Sequence, residues 1–425
     1  EDYSLSDTSI QLTQQGLVYN ISIIGSLNTN PLTIKSKGKW LAPESEQWWS
    51  HTSASYDVSV PKLGSLTTLI EDLPEGLSLE DTSIKASGNL AMKDNTVTQA
   101  NIEGQVSGLL AKKTPLPPLN LTATYQADGK SQAKVTALRN KAILLQLDAD
   151  YHVESSDYQG TLKVFEKEPV WINALAEVFK ANFKLDGPVA LTWSGQGNAK
   201  DFTDPKRVQK GQLQVTELHL KLPDTPSLNI ATEINYNWPE SVDLTSLTVR
   251  EGDWSGSAAL TWNGNTIDVT NINLKQANKE LATLRGKIPF REEIDTSQKF
   301  LAQTEAWNLT VKTQPIALNK LHEWFKIDAL NRLSGTTDLD LELSGSPSKP
   351  EVKGSARASD VKGLDDGSLL PLQLAFNFHS ENQKLLITGN LLEGKAERFA
   401  LTGSLPFTPS VWVRDPGFMD RFVRN

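Results

Sequence analysis

Five histidines, His51, His152, His219, His322 and His379, are the side chains best suited to acid–base or metal chemistry, and their spacing serves neither. A zinc site needs ligands a few residues apart on one element. These five are scattered, and His322-Glu323 lacks the second histidine of a zinc-protease helix. Carboxylates stand side by side at Glu292-Glu293 and Asp365-Asp366, where an acid and a base could be paired, but adjacent acids on loops read as solvated charge. Gly195-Gln196-Gly197 follows a strand without a third glycine or a helix behind it, so it reads as a turn and not as a phosphate cradle. The chain has no Cys and no Gly-x-Ser-x-Gly elbow, which removes two common nucleophile arrangements. No catalytic residue, metal ligand or cofactor is expected, and the chain does not read as an enzyme.

Composition narrows the remaining classes. The 425 residues carry 42 Lys and Arg against 51 Asp and Glu, a net charge of −9, so no field is available to hold nucleic acid. Eleven Trp and 38% hydrophobic residues argue for a folded chain. The absence of Cys suits an oxidising compartment. No run approaches the roughly 18–20 apolar residues that would cross a bilayer as a helix. The chain begins with Glu1 and not Met, which reads as an excerpt or a processed form whose address has been removed. Three sequons, at Asn20, Asn120 and Asn308, need no explanation beyond chance.

The dominant period along the chain is two. In Asp338-Leu339-Asp340-Leu341-Glu342-Leu343-Ser344 every odd residue is Leu and every even one polar, the pattern of a strand with one dry and one wet face. Val189-Ala190-Leu191-Thr192-Trp193, Leu213-Gln214-Val215 and Ile267-Asp268-Val269 repeat it, with Gly, Asn, Thr and Pro between strands as turn punctuation. Asn263-Gly264 falls at a hairpin tip, where positive φ is required. Leu213-x-Val215-x-x-Leu218 and Ile267-x-Val269-x-x-Ile272 share an extra residue that flips the pleat, as a bulge or corner would. The fold class expected is all-β: a long antiparallel meander with a few short amphipathic helices. Trp193, Trp254 and Trp262 lie in or beside strands, where they read as core and interface anchors.

Repeats organise the meander. Pro169 opens Ile172-Asn173-Ala174-Leu175-Ala176-Glu177-Val178-Phe179, which aligns residue for residue with Leu318-Asn319-Lys320-Leu321-His322-Glu323-Trp324-Phe325 behind Pro315. Each apolar stripe is helical in spacing, and an alternating strand ending in Ser-Gly follows each. Helices are expected near 169–182 and 315–330, with a poorer copy over 61–73. Trp171, Leu175 and Phe179, and likewise Leu318, Leu321 and Phe325, are expected to pack against strands. Proline and charge concentrate at 112–118 and 286–298, giving segments 1–120, 121–290 and 291–425 of one continuous elongated array.

The block from Leu333-Ser334-Gly335 through Asp338-Leu339-Asp340-Leu341-Glu342-Leu343-Ser344-Gly345-Ser346-Pro347 to Val352-Lys353-Gly354-Ser355 resembles the recurrent strand, Ser-Gly, Pro, strand, Gly phrase of the TamB family and its AsmA-like relatives. Leu247 to Trp262 is similar to that family's strand pair, and the likeness covers residues 165–410. The resemblance implies a β-taco: a sheet folded along its length into a groove, apolar inside and polar outside. It further implies transport of phospholipid between the inner and outer membranes of a diderm bacterium. On this reading the chain lies in the periplasm as an internal fragment of a protein anchored in the inner membrane, and an outer-membrane β-barrel partner would be engaged through segments absent here.

Physical chemistry is compatible with that role. About thirty strands at ~4.8 Å each would run over 100 Å. Each acyl CH₂ removed from water gains about 0.8 kcal/mol, so a two-chain lipid gains on the order of 20 kcal/mol gross in such a groove. The candidate lining comes from the apolar sides of the alternating strands: Val189, Leu191, Trp193, Leu213, Val215, Ile267, Val269, Leu339, Leu341 and Leu343. The partner is phospholipid acyl chains. Two other readings stay open. One is an assembly factor that templates outer-membrane β-proteins by strand augmentation. The other is a closed β-sandwich array acting as an adhesin or saccharide binder.

Overall fold

Alternation of Val, Ile, Leu and Thr with polar residues gives each segment one face to bury and one to hydrate, and short turns return the chain alongside itself. The computed structural model describes residues 5–27, 30–41, 51–64, 73–200, 208–222, 226–289, 306–320, 332–346, 349–363, 371–382 and 384–406. Of these, 77% are in strands and 4% in helix, which leaves no room for a parallel α/β unit. The chain divides into two compact units, Glu1–Ala231 and Thr232–Asn425.

The first unit contains β1 (Leu5–Gln15), β2 (Val18–Leu27), β3 (Asn30–Trp40), β4 (Thr52–Val60), β5 (Leu77–Ser78), β6 (Ser83–Lys93), β7 (Thr96–Ser107), β8 (Leu110–Ala111), β9 (Thr114–Pro115), β10 (Leu119–Gln126), β11 (Lys130–Arg139), β12 (Ala142–His152), β13 (Asp157–Glu166), α1 (Val170–Val178), β14 (Lys184–Asn198) and β15 (Gln209–Lys221). β16 (Leu228–Trp238) spans the division. Apart from β5, β8 and β9, the strands from β1 to β15 pair antiparallel with their neighbours in sequence. β5, β8 and β9 form a separate three-stranded patch.

The second unit contains β17 (Ser241–Glu251), β18 (Trp254–Trp262), β19 (Thr266–Gln276), β20 (Lys279–Pro289), β21 (Trp307–Thr313), β22 (Ile316–Ala317), β23 (Leu333–Ser346), β24 (Lys349–Gly363), β25 (Leu372–Glu381), β26 (Lys384–Glu393) and β27 (Ala396–Pro406). These too form an antiparallel meander, with β21 and the short β22 both laid on β23.

Turn chemistry follows the expected rules. Asp94-Asn95 and Asn140-Lys141 each place two consecutive residues at positive φ, the requirement of a tight hairpin. Gly264 has φ 84°, and the Asn263 side chain accepts the amides of Asn265 and Thr266, so Asn-Gly closes a three-residue tip. The two phase flips are bulges. Pairing shifts between Ala190 and Leu191 as β15 passes Thr216, and between Ala259 and Leu260 as β19 passes Thr270. Residues 112–118, rich in proline and charge, lie inside the first unit and carry the turn between β8 and β9.

One small core lies where α1 meets β8, β9 and β14: Ala111, Ala174 and Val178 are buried, with Leu77, Leu116 and Leu175 packed around them. Asn173 locks the helix to the sheet by donating to the Leu185 carbonyl and accepting its amide, both at 2.7 Å. The expected stripe needs one correction. Trp171 is buried and Leu175 joins the core, but Phe179 is 65% exposed. The helix stops at Val178, Phe179 is its C-cap, and Lys180 turns the chain away at φ 55°, so the aromatic ring leaves the buried face. In the aligned copy, Leu318 is buried at the start of a helical turn, whereas Leu321, Trp324 and Phe325 lie outside the described residues, as do Leu66 and Ile70 of the poorer copy.

A candidate apolar lining

In an antiparallel pair, residues directly opposite one another share a face of the sheet, so the register traces rows running perpendicular to the strands. In the first unit one such row reads Ile10, Ile23, Ile34, Val58, Ala86, Gly104, Leu121, Val135, Leu147, Leu162, Trp193, Leu213 across twelve strands from β1 to β15. No polar side chain interrupts it. One residue along each of most strands, the opposite face reads Gln11, Ser22, Lys35, Asp57, Ser87, Glu103, Thr122, Lys134, Asp148, Thr161, Ser194, Gln212, and no apolar side chain interrupts that.

The second unit repeats the arrangement over ten strands. Leu247, Ala258, Ile272, Leu284, Val311, Leu341, Gly354, Phe378, Ile387 and Gly403 form the dry row. Thr248, Ser257, Asn273, Thr283, Lys312, Asp340, Ser355, Asn377, Thr388 and Thr402 form the wet one. Cross-strand ion pairs fasten the wet faces: Lys134 to Asp148 at 3.3 Å, Lys312 to Asp340 at 3.2 Å and Lys287 to Asp268 at 3.4 Å.

All ten candidate lining residues fall on the apolar face of their own unit, five in each. Trp193 and Leu213 belong to the long row of the first unit, Leu191 and Val215 to the adjacent row that includes Leu145 and Val164, and Val189 lies beside them opposite Leu218. In the second unit Leu341 is in the long row. Val269 and Leu343 share the next one with Gly286 and Leu309. Ile267 stands between Trp262 and Ile288, and Leu339 heads Ala356, Phe376, Gly389 and Leu401. Val189, Val215 and Val269 are buried, and the other seven are half-buried.

The lining is kept low by cross-strand pairs of an aromatic residue with a glycine: Tyr19 with Gly38, Tyr56 with Gly88, Phe378 with Gly354 and Phe376 with Gly389. Each ring occupies the space a Cβ would need; at Gly354 that atom would stand 2.7 Å from the Phe378 ring. A ring lying over glycine covers bare backbone without projecting from the sheet. Two tyrosine hydroxyls on this face are satisfied, Tyr56 donating to the Asn101 carbonyl at 3.1 Å and Tyr19 bonding Thr52 at 3.1 Å. These pairs were not visible in the sequence, because Tyr19 and Gly38 become partners only once the hairpin register is fixed.

A hollow of about 390 Å³ opens on the apolar face, lined by Tyr56, Ile102, Ala123, Tyr125, Ala149 and Tyr151 among others. A larger hollow of about 770 Å³ lies among Gln132, Asp150, His152, Gln159, Gln196 and Asn198 and offers hydrogen bonds where the first offers hydrocarbon. A charge enters the dry side at the end of β13. Glu166 is 3% exposed, accepts the Trp171 indole N–H at 2.6 Å and the Glu168 amide at 3.2 Å, and meets Arg139 at 3.4 Å. No spacing along the chain points to this cluster, whose members meet only where α1 folds back on the sheet.

Comparison with protein-family models, curated proteins and solved structures finds no match.

Proposed function

We propose that the apolar faces form a conduit for phospholipid acyl chains, carrying lipid between two membranes. The observation that carries this reading is the unbroken transverse row. A core needs apolar side chains wherever elements meet, whereas a path for a sliding chain needs them at every step and in line. The closest contacts of the described elements run between neighbouring strands of the sheet, with α1 and the β5–β8–β9 patch packed beside them. Half-buried rows of this kind leave hydrocarbon to be covered, and an acyl chain gains about 0.8 kcal/mol per CH₂ by covering them. No catalytic group is required, and polar head groups can stay in water. The resemblance of residues 165–410 to the TamB family supports the same reading, and with it a periplasmic location between inner and outer membranes.

Adjacent positions provide the test. Leu341 sits in the dry row and Asp340 in the wet one. A photocrosslinker at 341 in cells is expected to capture lipid, while the same group at 340 captures none. Capture of protein alone at 341, or equal lipid capture at both, would refute the conduit.

A second use of the same sheet is favoured by β1, whose Ile10 and Leu12 are 65% and 66% exposed and which pairs on one side only among the described strands. A charge-poor edge of this length can add a partner strand, as an assembly factor would. Proline at Gln11 should then abolish crosslinks from β1 to a client β-protein and leave lipid capture at 341 intact.

A further inference from the structure

Across β10, β11 and β12 the last apolar-face positions before the hairpin turns are Tyr125, Ser131 and Tyr151, which stand directly opposite one another in register. Each carries a hydroxyl. Elsewhere on this face Tyr19 bonds Thr52 and Tyr56 the Asn101 carbonyl, but the hydroxyls of Tyr125, Ser131 and Tyr151 have no partner among the described residues. Tyr125 and Ser131 are half-buried, Tyr151 is 37% exposed, and all three line the hollow of about 390 Å³.

Along the strands away from these hydroxyls, the same face is aliphatic. The next row is Ala123, Ala133 and Ala149, and the one after it Leu121, Val135 and Leu147. Leu119, Ala137 and Leu145 end the series. From Tyr125 to Leu119 the strand covers about 20 Å at ~3.4 Å per residue. One leaflet of a ~30 Å bilayer core is about 15 Å deep, so an acyl chain fits within that length. The far end of the face is closed by the helix: α1 packs on β14, where Leu185 and Val189 are buried. The open end is therefore the hydroxyl-tipped one. Tyrosine is placed in the same way at a membrane boundary, its ring among hydrocarbon and its hydroxyl at the wet margin.

We propose that the first unit takes its lipids in one orientation: the glycerol esters accept hydrogen bonds from Tyr125, Ser131 and Tyr151, and the acyl chains run along the strands toward α1. The assignment rests on the conduit reading and deepens it, naming the ligands as acyl esters. A carbonyl oxygen needs a donor when it leaves water, and a hydroxyl without a protein partner is free to supply one. The turns beyond the row carry both signs, Lys130 meeting Asp128 at 3.0 Å, so head groups of either charge are accommodated in water there. Each hydroxyl bonds water once the lipid leaves. The net gain is accordingly small, and the row orients a passing lipid without arresting it.

The full chain is loaded from vesicles holding equal amounts of diacyl phosphatidylcholine and its dialkyl ether analogue, matched in chain length, and the bound lipid is extracted and quantified. The ester lipid is expected to be enriched about threefold, the scale of a small net hydrogen-bond gain. The triple variant Tyr125→Phe, Ser131→Ala, Tyr151→Phe removes three oxygens and, among the described residues, no protein hydrogen bond. It is expected to fold as the wild type does and to load both lipids equally. Equal loading by the wild type, or an unchanged preference in the triple variant, overturns the ester assignment and leaves the conduit standing. Direction is read on the wild type, with phosphatidylcholine carrying a diazirine either at the chain terminus or beside the glycerol. The terminal probe is expected to label residues around Leu119 and Leu145, and the proximal probe those around Tyr125 and Tyr151. The reverse pattern, or the same labelling from both probes, overturns the orientation. Loading of neither lipid overturns the conduit reading and this assignment with it.

Discussion

Asp340 and Leu341 are neighbours in sequence and opposites in environment, and the contrast fixes what a single substitution should cost. Asp340 is exposed and reaches Lys312 at 3.2 Å across the wet face, an arrangement worth about 0–1 kcal/mol. Asp340→Asn is therefore expected to leave the denaturation midpoint almost unmoved. Glu166 is the reverse case. It is 3% exposed, and the Trp171 indole N–H is its shortest bond, so Trp171→Phe keeps the ring and removes one donor from a buried carboxylate. A loss of about 1–3 kcal/mol is expected in chemical denaturation. Acid titration separates exposed carboxylates in another way. The Asp148 carboxyl is held below its ordinary 3.8, chiefly by the hydrogen bond from Gln146 and further by Lys134, with burial opposing both. Its pKa being lower folded than unfolded, Asp148 contributes stability above about pH 4 that is lost as pH falls through the depressed folded value. The melting temperature of Asp148→Asn should consequently fall less than that of the wild type on acidification below that point.

At the scale of elements, the strands were legible and their partnerships were not. A period of two names the dry residues of β14, β19 and β23 outright, because a side chain in a strand has only two faces to choose between. Which residue of the next strand each one meets depends on turn lengths and on the bulges at Thr216 and Thr270, so the rows and the aromatic–glycine pairs emerge only in three dimensions. The bulges themselves could be anticipated from a doubled polar step, since the apolar residues resume on the other parity. Helix α1 was legible as a stripe and misread at its end. Phe179 continues the apolar spacing, but the helix stops one residue earlier, and no glycine marks the stop because Lys180 takes the positive φ. Phe179→Ala should thus change stability by less than about 0.5 kcal/mol, whereas Trp171→Ala should cost about 3–5 kcal/mol. Equal costs at the two positions in denaturant melts would mean that Phe179 is packed in solution.

For the molecule as a whole, the question is whether its apolar rows act as one site or as a path. A pocket that selects a ligand is closed around it and filled once. The long row of the first unit runs unbroken from β1 to β15: twelve strands give eleven spacings of ~4.8 Å, about 50 Å measured along the sheet. An acyl chain laid along the strands occupies about one spacing, so a two-chain lipid covers about two, and several lipids fit on one face without meeting. The local environment changes little from step to step, because Val, Leu, Ile, Ala and Gly alternate without a polar barrier. Successive lipids should bind with similar affinities, and none should be trapped. Native mass spectrometry of the full chain after exposure to phospholipid is expected to give a ladder of several bound lipids whose populations follow independent, near-equivalent binding. A single adduct that saturates at one lipid per chain would instead mark a discrete pocket, such as the hollow beside Tyr56 and Tyr125. Replacing Leu147 by Asp places a charge in the middle of the first unit's row, where desolvating it costs several kcal/mol. If the row is a path, that change should shorten the ladder and slow lipid transfer between donor and acceptor vesicles together; a shortened ladder with undiminished transfer would mean that lipid moves by some other route.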